Sequence, residues 1–309
     1  MLIDIDEQAL LQQDGVLLDF LLSDQTTGKN IVWATEDHAS QGSGFAAEDE
    51  ITVEAITGAN TGLLQPRVRK TGIHQLGRTK DRAEVFTPAW LCNEQNNLVD
   101  EAWFGRPDVF NAPTRNGWRT SGGVIEFEPA GSRTWKHYVD ERRLEVACGE
   151  APYLVSRYDA TTGEPITLGR RIGLLDRKMR VVQENAESEP DWIKWSLRAV
   201  QSVYGFELQG DSLLLARENV LASYIDYDRA HLKREPSRSE LREVAKVISW
   251  NIWQMDAFTQ APPFKEPPTL CLTPTLFDEP MEDPEADLCR IQDWRGKQII
   301  TFAELADRK

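Results

Sequence analysis

The chain has 309 residues, with 35 lysines and arginines against 50 aspartates and glutamates, so its formal net charge is −15. Hydrophobic residues make up 40% of a chain that is long enough to bury a full core, and the sequence contains no run of about 18 apolar residues that could span a membrane. Four cysteines without a CxxC spacing exclude a disulfide framework and a zinc knuckle, and the acidic N-terminus lacks a secretory leader, so we expect a cytoplasmic protein.

Residues 1–77 predict an α+β extension. Apolar positions at helical spacing between residues 10 and 24 predict a helix, and the turn residues TTGKN then precede a predicted strand at residues 30–34. Residues 51–56 predict a second strand. The basic stretch at residues 66–82 carries six lysines and arginines against one aspartate, and we interpret it as a solvated face.

Residues 78–260 predict the main domain, with an insertion near residues 158–195. Thr87 and Pro88 predict the cap and the first position of a helix that reaches residue 104, and an irregular region rich in glycine, proline and aromatic residues follows to residue 140. Strands are then predicted at 142–148, 203–208 and 250–258. They alternate with helices predicted after residue 149 and at 171–186, 191–201, 211–227 and 237–249, the last with a capping box.

This alternation predicts an α/β fold with a mainly parallel, helix-covered sheet. Residues 261–309 predict a Pro-rich, acidic segment that ends in either a hairpin-like or a strand–helix piece at 290–305. The net negative charge argues against strong DNA binding by the whole surface, although it allows a local basic groove.

Each of the three predicted strands ends at a carboxylate, namely Glu145, Glu207 and Asp256. Because ligands bind at the carboxyl ends of parallel strands, we expect these side chains to face one crevice. Gly149 follows the first strand and allows the backbone to approach a ligand closely. A carboxylate after the second strand is the usual partner of ribose hydroxyls, although the gap from Glu145 to Glu207 far exceeds the usual spacing of about 20 residues.

Other interpretations of these residues stay open. The segment from Leu144 to Leu154 is also compatible with a plain strand-to-helix turn. A nuclease of the PD-(D/E)xK type would need a Glu-x-Lys partner that is missing near Asp140. The four histidines are scattered without a metal-ligand spacing, most tryptophans fall in amphipathic segments typical of a core, and Cys148 has no neighbouring histidine that would activate it as a nucleophile.

The sequence resembles the adenine-specific, S-adenosyl-L-methionine-dependent DNA methyltransferases of restriction–modification systems, in particular the proteins called restriction endonuclease subunit M. The resemblance covers roughly residues 10–258. The segments that carry it are TTGKNIVWAT (26–35), RTKDRAEVFTPAWLCNEQNN (78–97), DERRLEVACGEAPYLVSRYD (140–159), IGLLDRKMRVV (172–182) and WNIWQMD (250–256).

The resemblance implies a Rossmann-like class I methyltransferase sheet and a role for each matching residue. Thr87 and Pro88 match the segment against the methionine moiety, Glu207 the ribose-binding acid, and Asp256 the residue at the adenine ring of the cofactor. The remaining matches lie in or behind the cofactor loop and are Glu145, Ala147, Cys148, Gly149 and Tyr153. Val146 and Ala151 depart from the proline and second glycine that the family usually has there.

The catalytic motif is where the sequence departs most from the family. Adenine methyltransferases carry Asn/Asp-Pro-Pro-aromatic after a fourth strand, and this motif binds the target amine and stacks on a base flipped from the duplex. Here only Ala261, Pro262, Pro263 and Phe264 are similar, and they follow Asp256 too closely for a fourth strand, so we interpret them as a Pro-rich loop. Catalytic residues stay unassigned, with Pro262, Pro263 and Phe264 as the candidates.

Two functions are therefore compatible with the sequence. The first is a methyltransferase subunit that modifies DNA adenine, in which either Phe264 stacks on a flipped base or a partner chain supplies the missing tetrapeptide. The second is a non-catalytic module that binds S-adenosyl-L-methionine and serves assembly or regulation.

Overall fold

A computed structural model of the chain describes residues 5–69, 87–129, 131, 133–265 and 288–307. Its helices are α1 (Glu7–Leu22), α2 (Val53–Ile56), α3 (Ala89–Phe104), α4 (Trp135–Asp140), α5 (Leu174–Asn185), α6 (Glu189–Gln201), α7 (Gly210–Leu232), α8 (Arg238–Asn251) and α9 (Phe302–Asp307). Its strands are β1 (Asn111–Thr114), β2 (Gly117–Thr120), β3 (Arg143–Glu145), β4 (Val203–Glu207), β5 (Ile252–Gln254), β6 (Arg290–Asp293) and β7 (Gln298–Thr301).

The central sheet contains three parallel strands in the order β3-β4-β5. Glu145 pairs with Gly205 and Glu207 pairs with Gln254, so the carboxyl ends of the strands lie along one edge. Helices α5 and α6 connect β3 to β4, and α7 and α8 connect β4 to β5, as parallel pairing requires. The predicted α/β fold and the parallel pairing of its central strands are confirmed. The face of the sheet that carries Tyr204, Phe206 and Trp253 packs against the β6–β7 hairpin, where helices were predicted.

Local sequence signals place the helices around this sheet. Ser188 accepts a hydrogen bond from the Asp191 amide and starts α6 beside a proline in its first turn. At the start of α8, the Ser237 hydroxyl and the Glu240 carboxylate each accept a hydrogen bond from the backbone amide of the other residue, so the predicted capping box is confirmed. The predicted C-terminal hairpin is also confirmed, because β6 and β7 pair antiparallel.

The two strands predicted in the N-terminal segment are wrong. Val32 forms only an isolated bridge to Glu50, because its own amide and carbonyl are hydrogen-bonded to the Gln254 side chain at 2.9 and 2.8 Å. Residues 53–56 form the short helix α2, whose N-cap Thr52 accepts a hydrogen bond from Ala55. A side chain from β5 thus takes the place of a neighbouring strand.

Three other element predictions need correction. The helix predicted after Gly149 is absent from this described stretch, because Ala147, Gly149 and Ala151 adopt positive φ values of 48°, 51° and 61° that interrupt helical backbone. Helix α3 begins at Ala89, so Pro88 is its N-cap residue rather than its first helical residue. The segment that precedes β3 contains the β1–β2 hairpin, where an irregular chain was predicted.

One hydrophobic core joins the N-terminal segment to the sheet and its helices. It includes Leu17 and Leu21 of α1, Val203 of β4 and Ile248 of α8, and therefore residues from both sides of the predicted boundary at residue 77. The start of α7 packs so closely on this segment that a Cβ at Gly210 would lie 2.0 Å from the Val32 carbonyl oxygen.

Among the described helices, none has the length and apolarity needed to cross a bilayer. Most of the basic stretch predicted at residues 66–82 lies outside the described residues. Residues 266–284 of the predicted Pro-rich loop also lie outside them.

Candidate functional site

The candidate site lies at the carboxyl edge of the parallel sheet. Glu145 ends β3, Glu207 ends β4, and Asp256 follows β5 by two residues. The Met255 amide donates to the Glu207 carbonyl at 3.1 Å, so the chain leaves β5 alongside the end of β4. The three strand ends predicted to carry the site are therefore neighbours.

The loop after β3 connects the first two strand ends. The Gly149 amide donates to the Glu207 carboxylate at 2.9 Å, and the Cys148 amide donates to the Phe206 carbonyl at 2.8 Å. The Cys148 side chain is buried against β4, where a Cβ at Gly205 would lie 3.2 Å from its sulfur. Cys148 is thus a packing residue, while Ala147 is exposed at the rim of the loop.

Glu145 is buried beneath this loop. Its carboxylate accepts hydrogen bonds from the amides of Tyr153 and Leu154 at 3.2 and 3.0 Å, which fixes the turn that follows. Burial raises the pKa of Glu145 to about 8, although the two amides act in the opposite direction. At neutral pH the Glu145 carboxyl is therefore mainly protonated.

Glu207 is the second buried acid of the site, with 9% of its surface exposed. Besides Gly149, the amides of Leu208 and Gln209 donate to its carboxylate at 2.9 and 3.1 Å. Burial raises the pKa of Glu207, and these amides oppose the shift. One oxygen holds two of the amides and the other holds only the Gly149 amide, so the second oxygen keeps capacity for a ligand hydroxyl.

The first turn of α3 closes one side of the site. The Ala89 amide donates to Asp159 at 2.8 Å, and the Tyr153 hydroxyl donates to Gln95. Thr87 lies close enough to the Tyr153 hydroxyl to lower its pKa, although burial raises that pKa overall. Thr87 therefore lies beside Tyr153, in the segment that follows Gly149, and Pro88 joins it to the start of α3.

Asp256 shares the sheet edge but makes different contacts. Its carboxylate accepts hydrogen bonds from the amides of Phe258 and Thr259 at 2.7 and 3.3 Å, so it holds the turn of its own loop. The structure thus brings both Glu145 and Glu207 into contact with the segment that follows β3, and it places Asp256 after the neighbouring strand.

The proline-containing tetrapeptide lies in the loop that follows β5. Residues 261–265 form a loop, as predicted, in which Ala261 is buried and Phe264 is 57% exposed with a φ of 63°. Pro262, Pro263 and Phe264 border a cleft of about 510 Å³ that is also lined by Asp24, Thr26, Thr27, Lys29, Asn30, Val32, Glu48, Gln254 and Lys265. This loop follows β5, whereas the Gly149 loop follows β3 at the other end of the strand order β3-β4-β5.

Two acidic residues of the site escaped the sequence analysis. Asp159 holds the start of α3, and Glu150 accepts hydrogen bonds from the Arg67 amide at 2.6 Å and the Tyr158 hydroxyl at 2.5 Å. Both lie within the segment 140–159 that carries the family resemblance, so their position there was an available signal. Within the described ranges, no group of three or more His, Cys, Asp or Glu side chains could hold a metal ion.

No family model matches this sequence, and the comparisons with curated proteins and with solved structures also found no match.

The raised pKa of Glu145 predicts that wild-type protein loses stability as the pH rises. The pKa of Glu145 is about 8 in the folded protein, against an ordinary value of 4.5, so between these two pH values the native state holds a proton that the unfolded state has lost. The contribution of this proton to the free energy of unfolding is full below the unfolded pKa and is lost as the pH rises through the folded pKa. Between pH 6 and 8 the free energy of unfolding should fall by about 1–3 kcal/mol from this group. Urea denaturation of wild type and Glu145→Gln at several pH values measures this. The free energy of unfolding of the variant should be lower than that of wild type at pH 6 but should depend less on pH. Identical slopes of unfolding free energy against pH would contradict the prediction.

Proposed function

We propose that the chain is the S-adenosyl-L-methionine-binding subunit of a cytoplasmic DNA-modification system, related in kind to the adenine methyltransferases. The observation that carries this proposal is the hydrogen bond from the Gly149 amide to the Glu207 carboxylate, which joins the loop after β3 to the acid that ends β4. A glycine-containing turn beside a strand-end carboxylate is the arrangement that nucleotide-binding α/β proteins use for a ribose and the group attached to it.

The residues present are suited to this cofactor. The alternating positive φ values of Ala147, Gly149 and Ala151 form a tightly turned loop in which Val146 and Ala147 are exposed to an approaching ligand. In this proposal Glu207 binds the ribose hydroxyls, Asp256 lies toward the adenine ring, and Thr87 with Pro88 lies toward the methionine moiety. The bound cofactor would supply a methyl group on its sulfonium, and the sheet would be a Rossmann-like class I methyltransferase sheet that is incomplete at the fourth strand.

Calorimetric titration with S-adenosyl-L-methionine tests the proposal. We expect wild type to bind, and Glu207→Gln to bind about 5- to 150-fold more weakly, because losing one charged acceptor in a buried site costs about 1–3 kcal/mol. Glu235→Gln is the matched control, since its side chain is 70% exposed on the connection between α7 and α8. Circular dichroism confirms that each variant is folded.

Failure of wild type to bind the cofactor would overturn the proposal. Equal affinities of wild type and Glu207→Gln, with binding intact, would remove the assigned role of Glu207 and with it the observation on which the proposal rests.

The position of the tetrapeptide favours a non-catalytic module as the second candidate function. Ala261 provides a buried methyl group where the family has a side-chain acceptor, and Phe264 lies in the loop after β5, whereas the Gly149 loop follows β3. Radiolabelled methyl transfer to DNA, with the chain alone and with a candidate partner chain, separates the two functions. Transfer by the chain alone would establish an enzyme, and transfer only with a partner would indicate that the partner supplies the tetrapeptide.

A further inference from the structure

The β1–β2 hairpin concentrates exposed arginines on a chain of net charge −15. Arg115 lies in its turn, Arg119 lies in β2, and Arg170 ends a 3₁₀ turn beside the hairpin. All three are exposed, and none forms an ion pair within the described parts of the chain. Other arginines, such as Arg142 with Asp293 at 2.8 Å, pair with carboxylates. These three guanidinium groups are therefore available to an anionic partner.

The cations flank both faces of the hairpin. Side chains alternate along a strand, so Arg119 and Trp118 project to opposite faces of β2. The Arg170 guanidinium carbon lies 5.3 Å from the centre of the Trp118 ring, which places a cation on the tryptophan face as well. Arg115 occupies the tip, where residues 113–116 are all exposed. A two-stranded ribbon with positive charge on both faces and at the tip fits between two lines of phosphates.

The hairpin is fixed to the element that closes the candidate site. The Trp118 indole donates to the Arg170 carbonyl at 2.9 Å, and the Asn97 amide group of α3 donates to both oxygens of Asn111 in β1 at 3.2 and 3.3 Å. Since the first turn of α3 stands beside the Gly149 loop, the hairpin is held at a defined position relative to the proposed cofactor site.

We propose that the β1–β2 hairpin is a duplex-DNA contact, in which Arg115, Arg119 and Arg170 bind phosphates on the two sides of a groove. This inference rests on the proposed function for its choice of DNA as the polyanion. A two-stranded ribbon is narrow enough to enter the major groove of duplex DNA. The guanidinium group matches the geometry of a phosphate by paired hydrogen bonds, so each of these arginines is suited to a contact with the DNA backbone.

Fluorescence anisotropy with a labelled DNA duplex of about 20 base pairs, at several salt concentrations, tests this contact. The triple variant Arg115→Gln, Arg119→Gln, Arg170→Gln should bind about 10- to 100-fold more weakly near 0.1 M salt. Its plot of log affinity against log salt concentration should be shallower by about 2.7, because each lost phosphate contact removes about 0.9 from the slope. Arg238→Gln, an exposed arginine at the start of α8, is the matched control and should bind like wild type.

The double variant Arg115→Gln, Arg119→Gln keeps the stacked pair of Arg170 and Trp118 intact, so its loss of binding cannot come from disturbing that contact. Three results would overturn the inference: no duplex binding by wild type, wild-type binding by the triple variant, or an equal loss in Arg238→Gln. The triple variant should keep wild-type affinity for S-adenosyl-L-methionine. A chain that binds DNA through the hairpin but binds no cofactor would therefore refute the proposed function and leave the DNA contact standing.

Discussion

Arg177→Leu is expected to lower the free energy of unfolding by about 3–5 kcal/mol, because it leaves the Asp100 carboxylate buried without its cation. Arg177 and Asp100 are both 2% exposed, and their charged atoms lie 2.5 Å apart. The Tyr138 hydroxyl also donates to Asp100 at 2.9 Å. The same guanidinium donates to the side-chain oxygens of Asn93 and Asn97 at 2.9 and 2.8 Å. Its loss therefore leaves acceptors on one face of α3 without this hydrogen-bond donor.

Urea denaturation of a variant series measures this effect. The double variant Asp100→Leu, Arg177→Leu should recover a large part of the loss, because it removes both buried charges together. The exposed pair Arg229–Glu235 provides the control, and Arg229→Leu should cost less than about 1 kcal/mol. If the double variant were as unstable as the sum of its two single variants, the pair would not act as a coupled unit.

The buried pair Arg177–Asp100 matters for the site because it fixes α3 against α5. The first turn of α3 carries the contact of Ala89 with Asp159. The residues before it, Thr87 and Pro88, are those that we propose to lie toward the methionine moiety of the cofactor. Variants that loosen α3 without unfolding the chain should therefore weaken cofactor binding, although none of the altered residues touches the Gly149 loop directly.

The elements that the sequence predicted correctly depend on local information. Helix α8 is specified by its own capping box at Ser237 and Glu240 and by an apolar stripe that recurs at helical spacing. Strand β4 is a short, wholly buried run between two helices, which is the pattern of an inner parallel strand. These signals lie within a few residues of the structure that they determine.

The failures depend on contacts between distant residues. Residues 30–34 have the apolar character of a strand, but Gln254, more than 200 positions away, binds both peptide groups of Val32. Likewise the residues after Gly149 resemble a helix, but the Glu145 carboxylate binds the amides of Tyr153 and Leu154 in a different turn. Periodicity cannot show which side chain will take a backbone hydrogen bond.

The candidate site was predictable in part for the same reason. The order of strands and terminal acids along the chain indicated that Glu145 and Glu207 share an edge. The hydrogen bond between Gly149 and Glu207, and the support of α3 by Asp159, depend on the folded path of a long connection. The cleft that Phe264 borders together with Asp24 and Gln254 also required the structure, because the sequence shows only the distance of Phe264 from Asp256.

Arg217→Met is expected to destabilise the protein by about 3–5 kcal/mol, the second large effect, because it removes the donors of several buried carbonyls at once. Arg217 in α7 is fully buried, and its guanidinium donates to the carbonyls of Leu21 at 2.6 Å, Ser23 at 2.9 Å, Ile252 at 2.7 Å and Ser249 at 3.4 Å. Burial lowers the pKa of Arg217 to about 10, so it stays charged at neutral pH.

The carbonyls that Arg217 holds belong to the end of α1, the end of α8 and the start of β5. Its loss should therefore loosen the N-terminal segment before the sheet unfolds, and limited proteolysis should cleave Arg217→Met after Lys29 faster than wild type under conditions where both stay folded. Arg217→Lys keeps the charge and some of the hydrogen-bond donors, so its free energy of unfolding should lie between those of wild type and Arg217→Met. Unchanged proteolysis at Lys29 with a lowered unfolding free energy would show that Arg217 stabilises the sheet alone, and that the N-terminal segment is held by its apolar contacts with α8.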